Sequence, residues 1–82
     1  MSHSNRYCTL DVTYSFSMYP VLDSKIQAIV GQGFDETGTD FASRVLTFRF
    51  STLAARRAAI AALAGSALAG VVEWAHGMPG VD

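Results

Sequence analysis

Two segments of this chain alternate strictly between apolar and polar residues, and this alternation constrains the fold more than any other feature. The segments are residues 7–16 and 44–50. A period of two, carried by β-branched and aromatic residues, is typical of strands with one buried face. The apolar positions are Cys8, Leu10, Val12, Tyr14 and Phe16 in the first segment and Leu46, Phe48 and Phe50 in the second.

Each predicted strand is followed by a segment with helical periodicity. Residues 20–32 and 53–66 carry apolar side chains three and four positions apart, which predicts two amphipathic helices. Either Ser51 or Thr52 can cap the second helix. The expected inward stripes are Leu22, Ile26, Ile29 and Val30 on the first helix and Leu53, Ile60, Leu63 and Ala67 on the second.

Residues 34–43 leave two interpretations open. Residues 34–36 could form a short strand that is followed by a turn in which Gly38 has a positive φ. Alternatively, residues 34–41 form one polar edge strand with a bulge at Gly38. A last strand is predicted within residues 69–76.

The resulting order, βαββαβ, resembles the ferredoxin-like fold over nearly the whole chain. We therefore predict an α+β protein with a single domain over residues 1–82, an ordered core at about 6–76 and a four-stranded antiparallel-type sheet with both helices on one face. The resemblance implies that the first and third strands are central, parallel neighbours, with Asp11 beside Arg49 on the open face. The predicted core consists of Leu10, Val12, Tyr14, Ile26, Val30, Leu46, Phe48, Ile60, Leu63 and Trp74.

Composition and charge limit the classes of function. The formal net charge of −1, with 16% charged residues, argues against a basic nucleic-acid binder. The single cysteine, Cys8, cannot form an internal disulfide, which is typical of a reducing compartment. The N-terminus lacks an apolar signal region, and the longest uncharged apolar run, residues 58–72, is shorter than the roughly 20 residues of a membrane span. We therefore expect a cytoplasmic protein.

No pattern of reactive side chains is typical of an active site. His3, Cys8 and His76 lack the spacing of metal ligands, and Cys8 shares the buried side of its strand. The glycines of residues 31–33 follow a helix, whereas a phosphate-binding loop lies between a strand and a helix. We therefore expect no enzymatic activity, no metal and no cofactor.

RNA-recognition motifs share this topology and stack bases on aromatic side chains of their first and third strands. Here Tyr7 is the aromatic residue on the predicted open face, and the third strand offers Val45 and Thr47 instead. Together with the near-neutral net charge, this makes RNA binding a minor alternative.

The second helix has a side without charge. Alanine is the best helix former, which by itself explains such a side, but small residues also leave a flat patch for a second copy or a partner protein. The contact residues expected on this patch are Ala54, Ala58, Ala61 and Ala62.

The segment of residues 26–43 contains Asp35, Glu36 and Asp40 but no lysine or arginine. These acids either protect an edge strand from aggregation or, lacking an internal basic partner, form an acidic tip for a cationic groove. Phe34 and Phe41 flank the acids, and either is an anchor for a partner if its side chain lies outside the core.

In size, charge pattern and lack of catalytic groups, the chain resembles phage and mobile-element inhibitors such as anti-CRISPR proteins, several of which are acidic single domains and some of which are ferredoxin-like. That resemblance implies a non-catalytic protein-binding domain that blocks a nucleic-acid-binding effector complex, without touching nucleic acid or membrane itself. The alternatives are a small enzyme or ligand-binding domain that dimerises through its sheet, and the RNA-binding domain considered above.

Overall fold

A computed structural model describes residues 8–76, and for Asp40 and His76 it describes the backbone alone. The predictions that concern His3 and Tyr7 lie outside the described residues. The elements are β1 (Cys8–Ser15), a short 3-10 helix (Phe16–Met18), α1 (Val21–Val30), β2 (Glu36–Asp40), β3 (Ser43–Phe50), α2 (Leu53–Ala64) and β4 (Glu73–His76). The protein is an α+β protein with the predicted order of elements.

The four strands form one sheet in the order β2-β3-β1-β4, and every neighbouring pair is antiparallel. β1 and β3 are central, as predicted, but the prediction that they are parallel was wrong. The long connection through α1 brings β2 back in the direction of β1, and the tight turn after β2 then reverses the chain, so β3 runs against both. Asp11 therefore lies opposite Thr47, whereas Arg49 lies opposite Thr9. The predicted neighbourhood of Asp11 and Arg49 was therefore wrong, and Asp11 Oδ1 instead accepts a 2.8 Å hydrogen bond from Thr47 Oγ1.

Of the two interpretations of residues 34–43, the edge strand is correct, without its bulge. β2 pairs with β3 without interruption from Glu36 opposite Thr47 to Asp40 opposite Ser43. The chain turns at the next residue, Phe41, which has a φ of 62°. The sequence points to Gly38 because glycine is the usual residue at positive φ, yet a phenylalanine occupies that conformation here.

A side-chain cap begins α2, and a left-handed glycine ends α1. Thr52 caps α2, since its Oγ1 accepts a 3.0 Å hydrogen bond from the backbone nitrogen of Ala55. α1 ends at Gly31, which has a φ of 91° and donates its N–H to the carbonyl of Gln27. A left-handed residue after the last turn is the common end of a helix, and glycine adopts it without steric cost.

One hydrophobic core lies between the two helices and one face of the sheet. The buried side chains are Leu10, Val12, Tyr14, Leu22, Ile26, Leu46, Phe48, Phe50, Ala59, Leu63 and Val72. Three predicted members, Val30, Ile60 and Trp74, are only partly buried and pack against this core.

Strand parity identified the buried positions of β1 and β3 correctly from Leu10 to Tyr14 and from Leu46 to Phe50. The prediction for Phe16 was wrong, because the strand ends at Ser15 and Phe16 is 41% exposed. The helices and the last strand were predicted less well.

α2 is rotated relative to the prediction. Ala59 and Leu63 are buried, whereas Leu53 is 50% exposed and Ala67 is exposed. The prediction for Leu53 and Ala67 was wrong because Leu53 is the first residue of α2 and Ala67 lies beyond its last residue, Ala64. Ala59 is buried although its side chain is small, and a pattern of large apolar residues does not reveal such a position.

Candidate functional site

The sheet face opposite the helices, here called the open face, is not covered by any part of residues 8–76. Strand register places alternate residues on this face. They are Thr9, Asp11, Thr13 and Ser15 of β1, Glu36, Gly38 and Asp40 of β2, Ser43, Val45, Thr47 and Arg49 of β3, and Glu73 and Ala75 of β4. None of these described residues is aromatic, so the stacking platform of an RNA-recognition motif is missing from them.

Charge is divided between the two layers of the protein. The acids that the register of the described strands assigns to the open face are Asp11, Glu36, Asp40 and Glu73, and Arg49 is the only basic residue of those strands on that face. The outer surface of the helix layer exposes Lys25 and Arg57. The acidic group of α1, Asp23, is already paired with Arg44. The open face therefore carries negative charge and the helix layer carries positive charge.

Arg49 links the two acids at the start of β2. Its Nη2 lies 3.2 Å from Oδ2 of Asp35 and 3.9 Å from Oε2 of Glu36. The expectation that the hairpin acids lack an internal basic partner was therefore wrong for these two residues, because the antiparallel register brings the end of β3 beside the start of β2. The side chains of Asp35 and Glu36 remain 43% and 68% exposed, and exposed pairs contribute only about 0–1 kcal/mol. Two carboxylates share one guanidinium, so this corner keeps a negative charge.

The third predicted acid, Asp40, lies at the opposite end of β2. It lies four positions along the strand from Glu36, a distance of about 13 Å at roughly 3.3 Å per residue. The acids are therefore distributed along the edge strand, and the expected single acidic tip is not formed.

Five of the seven exposed large apolar side chains among the described residues lie in the turn of the β2–β3 hairpin and in the segment from the end of β1 to the first residue of α1, and we call these two segments the aromatic end. A 2.7 Å hydrogen bond from the backbone nitrogen of Phe16 to the carbonyl of Ala42 joins its two segments. Phe41 is 98% exposed, whereas Phe34 is partly buried against the core, so Phe41 is the residue available as an anchor. The members of the aromatic end are Phe16, Met18, Tyr19, Val21 and Phe41.

A polar network holds the aromatic end together. Arg44 Nη2 donates a 2.6 Å hydrogen bond to Asp23 Oδ2, and the hydroxyl of Tyr14 donates to Asp23 Oδ1. The Arg44 guanidinium also lies 4.5 Å from the ring centroid of Tyr19, which stacks on Phe16 with centroids 5.0 Å apart. Sequence reasoning missed this network. The sequence feature that could have revealed it is Tyr14, because a tyrosine predicted in the core needs a hydrogen-bond partner for its hydroxyl.

Burial and the hydrogen bonds of the network shift the pKa values of its three members. Burial, followed by the hydrogen bond to Asp23, raises the pKa of Tyr14 to about 12. Burial opposes ionisation of Asp23, but the hydrogen bonds from Arg44 and Tyr14 outweigh it and keep the pKa of Asp23 below its ordinary value. The hydrogen bond to Asp23 raises the pKa of Arg44. At neutral pH, Asp23 and Arg44 are therefore both charged and Tyr14 is neutral.

Two further surfaces lie on the helix layer. The alanine side of α2 is exposed as predicted, including Ala54, Ala58, Ala61 and Ala62. A groove of about 410 Å³ lies between α1 and the turns that follow α2. It is lined by Leu22, Lys25, Ala28, Ile29, Ala67 and Leu68.

Within residues 8–76, no three histidine, cysteine, aspartate or glutamate side chains lie close enough together to hold a metal ion. Cys8 is partly buried and packs against the core. No helix among the described residues is both long enough and apolar enough to cross a membrane. No protein family, curated protein or solved structure matches this chain.

Proposed function

We propose that this protein is a non-catalytic protein-binding domain of ferredoxin-like fold that uses its acidic open face and β2 to occupy the cationic groove of a nucleic-acid-binding protein or effector complex. It would act there as an inhibitor of the anti-CRISPR type. The strand order β2-β3-β1-β4, with both helices on one side, supports the fold. The division of charge between the two layers is the observation that carries the function.

An acidic sheet face suits a cationic groove for two reasons. Long-range attraction increases the rate of association, and the positive helix layer turns the open face toward a positive partner. At contact, carboxylates that are fixed to strands lose less conformational freedom than the same groups on a mobile loop. Asp11 is fixed further by its hydrogen bond from Thr47.

The polarity of the open face also weighs against the alternative of a dimer that buries its sheet. Asp11, Glu73 and Arg49 would each lose solvent at such an interface, and charged groups are depleted from interface cores for this reason. The exposed side chain of Glu36 would also lose its hydration at such an interface, which is unfavourable for a charged group.

The proposal is tested by neutralising the acids of β2. The triple variant Asp35→Asn, Glu36→Gln, Asp40→Asn should fold normally, because the two side chains described here, those of Asp35 and Glu36, are solvent-exposed. Affinity for a partner isolated from nuclease-treated host lysate should fall by about tenfold or more, since rim and buried charges each contribute to association. A double-stranded oligonucleotide should compete with the wild-type protein for that partner.

Two control variants test whether the change in affinity depends on the sign and the position of the charge that is removed. Lys25→Gln with Arg57→Gln removes exposed charge from the opposite layer and should leave affinity unchanged. Arg49→Gln removes the positive charge from the open face and should strengthen binding to a cationic partner. The proposal fails if the triple variant binds as tightly as the wild type at low salt, or if nucleic acid does not compete. Acids that only protect an edge strand would instead reveal themselves by aggregation of the triple variant.

A further inference from the structure

A small polar pocket lies on the open face, at the end of the sheet where β1 ends. The turn of the β2–β3 hairpin borders it on one side, and the segment that leads into β4 borders it on the other. Its volume of about 280 Å³ is just below the range of about 300–1,000 Å³ that is usual for pockets that bury a whole small molecule. The pocket therefore has the size for a single side chain. The residues that line it include Thr13, Ser15, Ala42, Ser43, Val71 and Glu73.

The strand register brings the polar groups of the pocket together. Thr13 lies opposite Glu73, and Ser15 lies opposite Ser43. Residues that are directly opposite each other on one face of an antiparallel pair have Cβ atoms about 4.5–5.5 Å apart. Ser15 Oγ also lies 2.9 Å from Ser17 Oγ, which fixes its position. One carboxylate and three hydroxyl groups from three strands therefore surround one small volume, and all of them can accept hydrogen bonds.

The charge of the pocket selects the class of ligand. Among the described residues that line it, Glu73 alone is charged. Arg44 follows the pocket residue Ser43 in the chain, but it lies opposite the buried Tyr14 and is paired with Asp23. An anion would therefore meet a negative charge with no basic residue to balance it. A metal ion such as Ca²⁺ takes about six to eight oxygen ligands and is usually held by several carboxylates, whereas this pocket offers one. An organic cation suits it best.

The shape of the pocket favours a guanidinium group over an ammonium group. A guanidinium is planar and carries five N–H donors, so it can bind a carboxylate through two hydrogen bonds and still donate to neighbouring hydroxyls. Val71, which is 42% exposed, and the exposed Ala42 add apolar surface beside the polar groups. Such surface packs against the aliphatic stem of an arginine while its charged end binds the carboxylate.

We infer that this pocket binds the guanidinium group of one arginine side chain, presented by the protein partner. In naming the partner as the source, the inference rests on the proposed function, which brings a cationic groove against the open face. Arginine is common in such grooves because its guanidinium matches the geometry of phosphate groups. Glu73 belongs to β4, at the opposite edge of the sheet from β2. The contact with the partner would therefore extend across the whole sheet.

Binding of N-acetylarginine amide to the 15N-labelled full chain, followed by amide chemical shifts, tests the pocket without the partner. The shifts should saturate in the millimolar range and should map to Thr13, Ser15, Ser43 and Glu73. N-acetylcitrulline amide has the shape of the arginine probe without its charge, and N-acetyllysine amide has the charge without the planar group. Each should bind at least about fivefold more weakly than the arginine probe.

Three variants identify the groups that hold the probe. Glu73→Gln keeps the size of an exposed side chain and removes its charge, so it should weaken binding of the arginine probe by about fivefold or more. Thr13→Val keeps the shape of the side chain and removes its hydroxyl, and should weaken binding by about threefold. Thr9→Val is the same substitution on the same face of β1 outside the pocket, and should leave the affinity unchanged.

The affinity for the partner separates this inference from the proposed function. Glu73→Gln should lower that affinity by about fivefold or more. If the triple variant of the β2 acids loses affinity but Glu73→Gln binds as tightly as the wild type, the inference is overturned and the proposed function stands. If Glu73→Gln lowers both affinities but the triple variant keeps its own, the proposed function fails and the inference stands. Shifts that are absent, that are equal for the citrulline probe, or that persist in Glu73→Gln overturn the inference whatever the partner does.

Discussion

Asp23 is the centre of the polar network beneath the aromatic end, and replacing it with asparagine isolates the contribution of its charge. The variant keeps the shape of the side chain, and its amide oxygen can still accept a hydrogen bond from Tyr14. Arg44 loses a charged acceptor at 2.6 Å, however, in a pair whose two side chains are each only 14% exposed. Exposed pairs contribute about 0–1 kcal/mol, and breaking a fully buried pair costs about 3–5 kcal/mol. We expect Asp23→Asn to lower the free energy of unfolding by about 2 kcal/mol.

The expected loss depends on pH in a defined way. Because the folded protein holds the pKa of Asp23 below its ordinary value, the stabilisation is fully present above about pH 4, the pKa of an unfolded aspartate. It disappears as the pH falls through the folded-state pKa. The stabilisation by Tyr14 depends on pH in the alkaline range. Because its pKa is raised to about 12, this stabilisation is present below about pH 10 and is lost as the pH rises toward 12.

Urea denaturation of a double-mutant cycle measures the effect. The cycle comprises the wild type, Asp23→Asn, Arg44→Gln and the double variant, each at neutral pH and at acid pH. A coupling energy of about 1.5–2 kcal/mol at neutral pH that shrinks toward zero in acid supports the assignment. A coupling energy below about 0.5 kcal/mol at neutral pH would show that the network contributes no more than a surface ion pair.

Two further predictions concern the core and the second helix. Phe48→Ala should lower the free energy of unfolding by about 3–5 kcal/mol, since the ring is fully buried at the centre of the sheet, and an unchanged urea midpoint would contradict the core assignment. Ala58→Arg hardly alters helix propensity, and residue 58 is exposed, so the substitution tests contact rather than folding. It should abolish association if the alanine side of α2 contacts a second copy or a partner. Unchanged light scattering together with unchanged capture of the partner would show that this side is only solvent-exposed helix.

The pattern of apolar and polar residues predicted those features that depend only on which face of a single strand or helix is buried. The alternation in β1 and β3 identified the sheet side of the core, because each strand buries every second residue regardless of its neighbours. The central position of β1 and β3 was implied by the resemblance to the ferredoxin-like fold, and the strand order confirms it. Strand direction was harder, because it depends on how distant segments connect, and the parallel arrangement expected for β1 and β3 was wrong for that reason.

The candidate binding surfaces were predictable only in part. The acids of β2 are visible in the sequence, but their partner, Arg49, lies in another strand, and only the register brings it close. The network around Asp23 likewise joins residues of β1, α1 and β3. Phe41 was recognised as a possible anchor, whereas its turn was not, since Gly38 offered a more favourable residue for a positive φ.

The hairpin of β2 and β3 joins the acids of the proposed partner surface to the polar network. Arg44 of β3 lies opposite Thr39 of β2 and is also paired with Asp23 of α1. A substitution that breaks this pair would therefore act on the edge strand through β3, without any contact between the network and the partner. Comparing two variants separates these effects: the triple variant of the acids should lose affinity for the partner at unchanged stability, whereas Asp23→Asn should lower the free energy of unfolding.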